Sequence, residues 1–472
     1  MTYFVTGATG FIGKRLVARL LSRPGSTVYF LTRSLEAGGL QELHDYWDCD
    51  EKRVVAVLGD LTQPDLGVSK ADIRKLKGKV EHFFHLAAVY DLKASAEEQQ
   101  RANVDGTRNT VRLAEAIGAR HFHLVSSIAA AGLFEGLFRE DMFDEAENLD
   151  NPYFRTKHDS EAIVRKECSI PWRVFRPAIV VGDSRTGEMD KIDGPYYFFK
   201  LIQKIRKALP SWMPTVGIEG GRINVVPVDF VVAAMDHIAH LKNEDGHCFH
   251  LTDPTPMRVG DLLNTFARAA HAPEMAMRIN AALLGFIPRS VRKAMFALTP
   301  VRRIRNAVMK DLGLPDDILD FINYPTRFDC RETQRALKGT GIVVPPLDSY
   351  AWRLWDYWER HLDPDLFIDR TLRGKVEGRV VLVTGGSSGI GKATVRKMAE
   401  AGAIAITIAR DPKTLDETRA EFEAAGLRLI THVVDIADPQ QCAAFVTLLN
   451  DQYGGVDILV NNAGRSIRRG IE

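Results

Sequence analysis

Tyr153 and Lys157 stand four residues apart in Tyr153-Phe154-Arg155-Thr156-Lys157, a spacing that puts a phenol and an ammonium on one face of a helix. A free tyrosine titrates near ~10 and exchanges protons poorly at neutral pH, and a nearby cation that favours the phenolate brings it toward the working range. Tyr-x-x-x-Lys arises often by chance. It gains weight from Leu124-Val125-Ser126-Ser127, which reads as a strand end lying 26 residues before Tyr153. Hydroxyl, phenol and ammonium together suit proton transfer at a carbonyl or alcohol oxygen.

A second kind of chemistry is written in glycines. Thr6-Gly7-Ala8-Thr9-Gly10-Phe11-Ile12-Gly13 follows the strand-like Tyr3-Val5 and opens an apolar-spaced helix over Phe11-Leu21. In that context Gly7 permits a tight turn, Gly10 lets backbone approach a pyrophosphate at the helix N-terminus, and Gly13 allows helix and strand to pack closely. Thr384-Gly385-Gly386-Ser387-Ser388-Gly389-Ile390-Gly391 repeats the device with different spacing, between strand Arg379-Val383 and helix Ile390-Ala401. Where an acidic residue would grip a ribose 2′-hydroxyl, both copies carry an arginine: Arg33, followed by Ser34, and Arg410. A guanidinium beside a hydroxyl suits a 2′-phosphate, so NADPH is the expected cofactor. Asp60-Leu61 and Asp435, just past the third strand of each copy, place a carboxylate where it accepts from an adenine amino group or caps a helix.

The recurrence runs beyond the turns. From Gly13 it is 20 residues to Arg33, 47 to Asp60 and 75 to Ala88; from Gly391 it is 19 to Arg410, 44 to Asp435 and 73 to Gly464. Alternating strands and helices predict an α/β fold: a doubly wound parallel Rossmann sheet with a substrate lobe, followed by a second, incomplete Rossmann unit. The nucleotide-binding core is expected over 1–185, the lobe mainly over 185–370, a linker over 371–377 and the second unit over 378–472. The 472 residues, 45% hydrophobic and 26% charged, exclude a disordered chain, a collagen-like fibre and a disulfide scaffold. Lys+Arg 62 against Asp+Glu 61 leaves a net +1, with no global field to draw nucleic acid. Five scattered cysteines, a start without a leader pattern, and no apolar run near ~20 residues predict a soluble cytoplasmic protein.

The first 370 residues or so resemble the extended short-chain dehydrogenase/reductases, on Thr6–Gly13, His85-Leu86-Ala87-Ala88, Asn103, Ser126-Ser127-x4-Gly132, Tyr153 with Lys157, and Arg176-Pro177. The resemblance implies that Ser127 orients a carbonyl, that Tyr153 protonates the developing alkoxide, and that Lys157 lowers the phenol's pKa and holds the nicotinamide ribose. It implies that Asn103 orders the active-site helix or a water relay, and that Ala87, Ala88 and Pro177 line the cofactor. The second segment is similar to the shorter branch of the same superfamily and keeps Asn461-Asn462-Ala463-Gly464, where Asn462 would brace the cofactor turn. In that branch the serine and the Tyr-x-x-x-Lys lie beyond residue 472, so the second unit is expected to supply no catalytic residues. The two units in this order, with the phrases Gly187–Phe199, Gly220–Pro227 and Tyr324–Arg327, resemble the bacterial two-domain alcohol-forming fatty acyl-CoA reductases. That implies NADPH-dependent conversion of acyl-CoA to aldehyde by the second unit and of fatty aldehyde to fatty alcohol by the first.

The lobe holds apolar material for a chain-like substrate: Tyr196–Phe199, Trp212, Met213 and Leu283–Ile287, although core packing accounts for most such residues. From Arg289 to Lys310 the charges are all basic and alternate with apolar residues, which suits a membrane surface, the phosphates of coenzyme A, or a solvated helix pair. His121-x-His123 and His247-x-x-His250 lack carboxylate or cysteine company at usable spacing, and no metal is expected. Two rival functions stay open: an extended reductase or epimerase acting on a sugar nucleotide or sterol, and a non-catalytic NADPH sensor. Oligomeric state is not legible.

Overall fold

Short β-branched and aromatic runs alternating with helices build a parallel sheet, because each strand must be buried on both faces. In this computed structural model residues 1–88, 95–190, 192–280, 324–367 and 369–464 are described. The chain divides into two compact units, Met1–Leu362 and Asp363–Glu472.

The first unit is built on β1 (Thr2–Thr6), β2 (Thr27–Thr32), β3 (Val54–Leu58), β4 (His82–His85), β5 (His121–Val125), β6 (Trp172–Pro177) and β7 (Cys248–Leu251). They form a seven-stranded sheet in the order β3-β2-β1-β4-β5-β6-β7, and every pair is parallel. Strand order reverses between β1 and β4, so a crevice opens beyond their C-terminal ends, the place where such sheets take ligands. One apolar cluster lies on each face. Leu16, Val17 and Leu20 of α1 (Phe11–Leu21) meet Val231, Met235 and Ile238 on one side, and Phe83, Val111, Phe122 and Val164 pack on the other.

Two expectations about boundaries change. Part of the span assigned to the lobe returns to the sheet, because the mostly apolar helix Val228–Ala239 and strand β7 find their burial against α1 and β6. The lobe itself gathers around Tyr196, Phe199, Phe266, Leu354, Trp355 and Trp358, with the Phe199 ring 5.1 Å from that of Trp355. The stretch 371–377, expected as a linker, contains the helix Leu372–Val376, capped by Thr371, and Val376 is buried with Val381, Val383 and Val395 of the second unit.

The second unit is a four-stranded parallel sheet of β8 (Val380–Thr384), β9 (Ile404–Ala409), β10 (Ile430–Val433) and β11 (Ile458–Val460), in the order β10-β9-β8-β11. This is the same topology as the first four strands of the first unit. The segments Leu283–Ile287 and 289–310, singled out in the sequence, lie outside the described residues. Among the described residues no helix is long and apolar enough to cross a membrane.

Candidate active site

Helix α2 (Pro152–Glu167) carries Tyr153 and Lys157. Asn151 caps it by accepting from Tyr153 N at 2.9 Å, and Pro152 occupies the first turn, where a missing N–H costs nothing. The helix is anchored at several points. Its Glu161, four residues after Lys157, is fully buried and takes two hydrogen bonds from Arg176 of β6, at 3.0 and 2.6 Å. Arg176 also donates to Met142 O at 3.1 Å. A buried ion pair of this kind adds little net stability, but removing one partner strands a charge, so it fixes position. Asn103 lies in a wide helical turn over Gln100–Asp105; its carbonyl accepts from Ser160 Oγ at 2.9 Å and its Nδ2 donates to Thr156 Oγ1 at 3.3 Å. Asn103 is thereby tied to the helix of Tyr153 and Lys157.

Ser127 stands just past β5 with extended backbone, and its Oγ accepts from Ala129 N at 3.2 Å. The Tyr153 hydroxyl hydrogen-bonds Ser127. Lys157 is buried, with Nζ 3.5 Å from Val125 O. The phenol shifts upward, opposite to the direction expected from Lys157. Burial pushes Tyr153 up to about 12 against the opposing hydrogen bond with Ser127, and Asp193 adds to the rise. Burial likewise pushes Lys157 down to about 8. A second cavity of about 10 Å³ lies among Asn103, Ser126, Lys157 and Ser160, close to the space one water needs.

The first glycine turn is set by close approach. Gly7 has φ +74°, and a Cβ there would lie 2.7 Å from Ala87 N; one on Gly13 would lie 2.0 Å from Gly7 O. Gly10 meets only Gly7 O, at 3.4 Å, leaving its outer side open. Thr6 Oγ1 ties β1 to β4 by pairing with His85 Nδ1 at 2.7 Å and accepting from Ala87 N at 3.3 Å. Thr9 is exposed and Phe11 and Ile12 are half-buried at the start of α1. Arg33 and Ser34 are exposed past β2, with Ser34 N on Thr32 Oγ1 at 3.3 Å. Asp60 accepts from Thr62 N and Oγ1, both at 2.8 Å, which with the nearby Arg33 holds its carboxyl below the usual range. It serves as the turn cap that the sequence left open. Leu61 O accepts from Asn109 Nδ2 at 3.0 Å.

In the second unit Asn462 does the bracing directly: its Nδ2 donates to Thr384 O and Gly385 O at 3.1 and 3.2 Å. A Cβ on Gly391 would lie 2.3 Å from both Asn462 Nδ2 and Gly385 O. Gly385 and Gly389 have φ of +70° and +54°, Ser387 O accepts from Thr418 Oγ1, and Ile390 and Arg410 are exposed. Asp435 Oδ1 accepts from Ala437 N at 3.0 Å, again a turn cap.

One cavity of about 380 Å³ connects the first unit's parts. It is lined by Gly7, Gly10–Gly13, Ala88 and Pro177 at one end and by Ser127, Tyr153 and Lys157 in the middle. An aromatic wall of Phe154, Tyr197, Phe198, Tyr324 and Phe328 continues it. The open side of Gly10 and the continuity of the space with Tyr153 and Lys157 fit an NAD(P) dinucleotide. Trp212 and Met213 do not line it, Trp212 being 78% exposed; Tyr196 and Phe199 are core. The sequence reading gave no role to Phe154, His85, Glu161 or Asp193. Glu161 had a signal, since Tyr153, Lys157 and Glu161 are spaced by four on one helix face.

Such a sheet, turn and Ser-Tyr-Lys grouping define an NAD(P)-binding oxidoreductase of the short-chain dehydrogenase/reductase superfamily. More particularly, the chain joins an extended-type unit to a short-chain one: residues 5–235 match the model described as male sterility protein, and residues 379–472 match short chain dehydrogenase. The crystal structure of the terminal R domain from the myxalamid PKS-NRPS biosynthetic pathway is similar over 77% of this chain and 92% of that one, at 26% identity and a TM-score of 0.59. Glycine betaine reductase ATRR of Emericella nidulans is 26% identical over 487 residues, 98% of this chain and 37% of that protein. The non-canonical nonribosomal peptide synthetase FrzA of Cladobotryum sp is 30% identical over 379 residues, 75% of this chain and 36% of that protein. The chain thus spans little more than a third of the length of these two relatives.

Proposed function

We propose that the first unit reduces a long-chain aldehyde to the alcohol with NADPH, as a step of alcohol-forming fatty acyl-CoA reduction. The observation that carries this reading is the single cavity running from the glycine turn past Ser127, Tyr153 and Lys157 to a wall of aromatic side chains. A bound nicotinamide supplies the hydride. Ser127 and Tyr153, hydrogen-bonded to one another, present their hydroxyls to the carbonyl oxygen, and Tyr153 gives up its proton as charge develops there. A phenol raised by burial is fully protonated at neutral pH, the form that reduction needs. Lys157, held by burial near Val125 O, compensates the phenolate left behind, and Asn103 keeps the helix in place. Arg33 and Ser34, exposed beyond β2, favour a 2′-phosphate and hence NADPH. All five cysteines are unpaired, which suits the cytoplasm.

NADPH oxidation with decanal by the wild type and by Tyr153→Phe tests the reading. We expect turnover that the substitution reduces by about 100-fold or more. Unchanged turnover in the variant, or none with any long aldehyde in the wild type, overturns it.

A further inference from the structure

Behind the reacting groups, a continuous set of buried side chains joins the glycine turn to helix α2. Thr6, at the end of β1, is the register partner of His85 at the end of β4, so the two side chains project to the same face of the sheet. Thr6 Oγ1 lies 2.7 Å from His85 Nδ1, and the other ring nitrogen, Nε2, lies 3.1 Å from Thr107 Oγ1. Thr107 Oγ1 is 2.6 Å from Asn103 O. Asn103 Nδ2 reaches Thr156 Oγ1 at 3.3 Å, and Thr156 Oγ1 meets the backbone oxygen of Tyr153 at 3.2 Å. Thr6, His85, Thr107 and Asn103 are each at most 2% exposed, so bulk water does not compete for these bonds.

Every bond in this chain has one direction. A carbonyl only accepts, so the Thr107 hydrogen lies toward Asn103 O, and Thr107 Oγ1 is left to accept from His85 Nε2–H. Burial pushes His85 down to about 3, so the ring is neutral and carries a single N–H. With that hydrogen on Nε2, Nδ1 presents a lone pair and accepts from the Thr6 hydroxyl, which itself accepts from Ala87 N at 3.3 Å. Beyond Asn103, Thr156 donates to Tyr153 O and accepts from Asn103 Nδ2. The gap between Thr6 and Thr107 needs a group that accepts on one edge and donates on the other, and the rigid imidazole does both.

We infer that His85 is a positioning residue that couples the nucleotide cradle to the acid–base helix, through Thr6 on one side and through Thr107 and Asn103 on the other. One end of the chain is the cradle itself: Gly7 packs so closely that a Cβ there would lie 2.7 Å from Ala87 N. The other end is the backbone of Tyr153, and His85 walls the water-sized cavity beside Lys157. Hydride and proton leave from these two ends and must meet on one carbonyl, where an error of about 1 Å costs roughly 100-fold. The inference rests on the reading above, in which NADPH sits on the first glycine turn and Tyr153 protonates the carbonyl oxygen.

Hydrogen–deuterium exchange of the whole chain, with and without saturating NADPH, tests the coupling without turnover. In the wild type NADPH is expected to slow exchange over residues 153–160 of α2 by about tenfold. Thr107→Val, which keeps the shape and removes the hydroxyl, and His85→Phe should abolish that slowing, while Thr107→Ser retains it. NADPH itself should bind all four proteins within about threefold, because the turn keeps its own backbone N–H groups. With decanal, Thr107→Val and His85→Phe should lose kcat at least about tenfold with KM for NADPH little changed. The isotope effect from NADPH deuterated at the transferred position should rise in both, which a loss of stability alone would not produce. Should His85→Phe fail to fold, Thr107→Val carries the test. No slowing in the wild type, equal slowing in the wild type and Thr107→Val, or its loss in Thr107→Ser overturns the inference. Loss of NADPH binding by Thr107→Val overturns it too, since the cradle and not the coupling would have failed. A wild type that shows the exchange pattern yet reduces no long aldehyde supports the coupling and counts against the proposed reaction.

Discussion

The two units build the same nucleotide turn by different means. In the first, Thr6 Oγ1 bridges from β1 to His85 of β4 and to Ala87 just past it, while in the second Thr384 Oγ1 accepts from Asn462 N and Ala463 N, both at 3.0 Å, and Asn462 Nδ2 reaches across to the turn's carbonyls. Each uses a threonine at the end of the first strand to fasten the fourth. The difference lies further along the sheet. Only in the first unit do the described residues include a fifth strand leading to Ser127 and a helix bringing Tyr153 and Lys157 beside it. The cradle is therefore a property of four strands and one turn, and the acid–base chemistry needs what is added at the next edge.

The largest test of that comparison is at the packing glycines. A methyl on Gly13 meets Gly7 O at 2.0 Å and one on Gly391 meets Gly385 O at 2.3 Å, in both cases backbone that cannot yield without opening the turn. Gly13→Ala should cost aldehyde reduction at least ~100-fold, because a shift of about 1 Å in the cradle is enough to misplace the reacting carbon. Gly391→Ala should act on the second cradle, which NADPH titration reads as one nucleotide fewer per chain. Aldehyde turnover that survives Gly13→Ala would show that the first cradle is not the one that serves Tyr153.

Much of this was legible because the residues concerned act locally. A glycine turn, an i, i+4 tyrosine and lysine, and a repeated spacing are short-range patterns, and β1, α1 and the corresponding strand and helix of the second unit fall within a residue or two of their expected places. What escaped depends on burial and long-range contact. The direction of the Tyr153 shift follows from how completely the phenol is enclosed, and the seventh strand from where Cys248–Leu251 finds a partner 74 residues from Val174. The aromatic wall joins Phe154 to Tyr324 and Phe328, which no spacing connects.

Acid should separate the units next. Burial pushes His82, His85 and His250 of the first unit down to about 3, so they are neutral when folded and take up protons when unfolded below about 6.5. Their contribution is complete above pH 6.5 and is lost as pH falls toward 3. Between pH 6.5 and 5.5 the three together cost roughly 3 kcal/mol. Glu140, pushed up to about 7 by burial, is protonated more readily when folded and works in the opposite direction over pH 4.5 to 7, offsetting about one histidine. The second unit holds a single histidine, His432. Scanning calorimetry at pH 7 and 5.5 should show the first unit's transition moving down by several degrees and the second's by much less; equal shifts would contradict the burial of this cluster.

The smallest expected effect concerns the choice between nucleotides, and it bears on whether the arginines of the two units do the same work. Arg33 is exposed at the end of β2 and lies near enough to Asp60 to lower its carboxyl, so it stands on the adenosine side of the first cradle. A charge-assisted hydrogen bond to a 2′-phosphate is worth roughly 1.5–3 kcal/mol. Arg33→Ala should therefore raise KM for NADPH about tenfold in the aldehyde assay while leaving that for NADH nearly unchanged. Equal losses with both nucleotides would mean that Arg33 touches something other than the 2′-phosphate. Arg410→Ala alters the corresponding edge of the second sheet, and its effect belongs to the second cradle alone. A tenfold rise in KM for NADPH during aldehyde reduction by Arg410→Ala would show that the second unit's nucleotide serves the first unit's chemistry, and the two cradles could no longer be treated as independent.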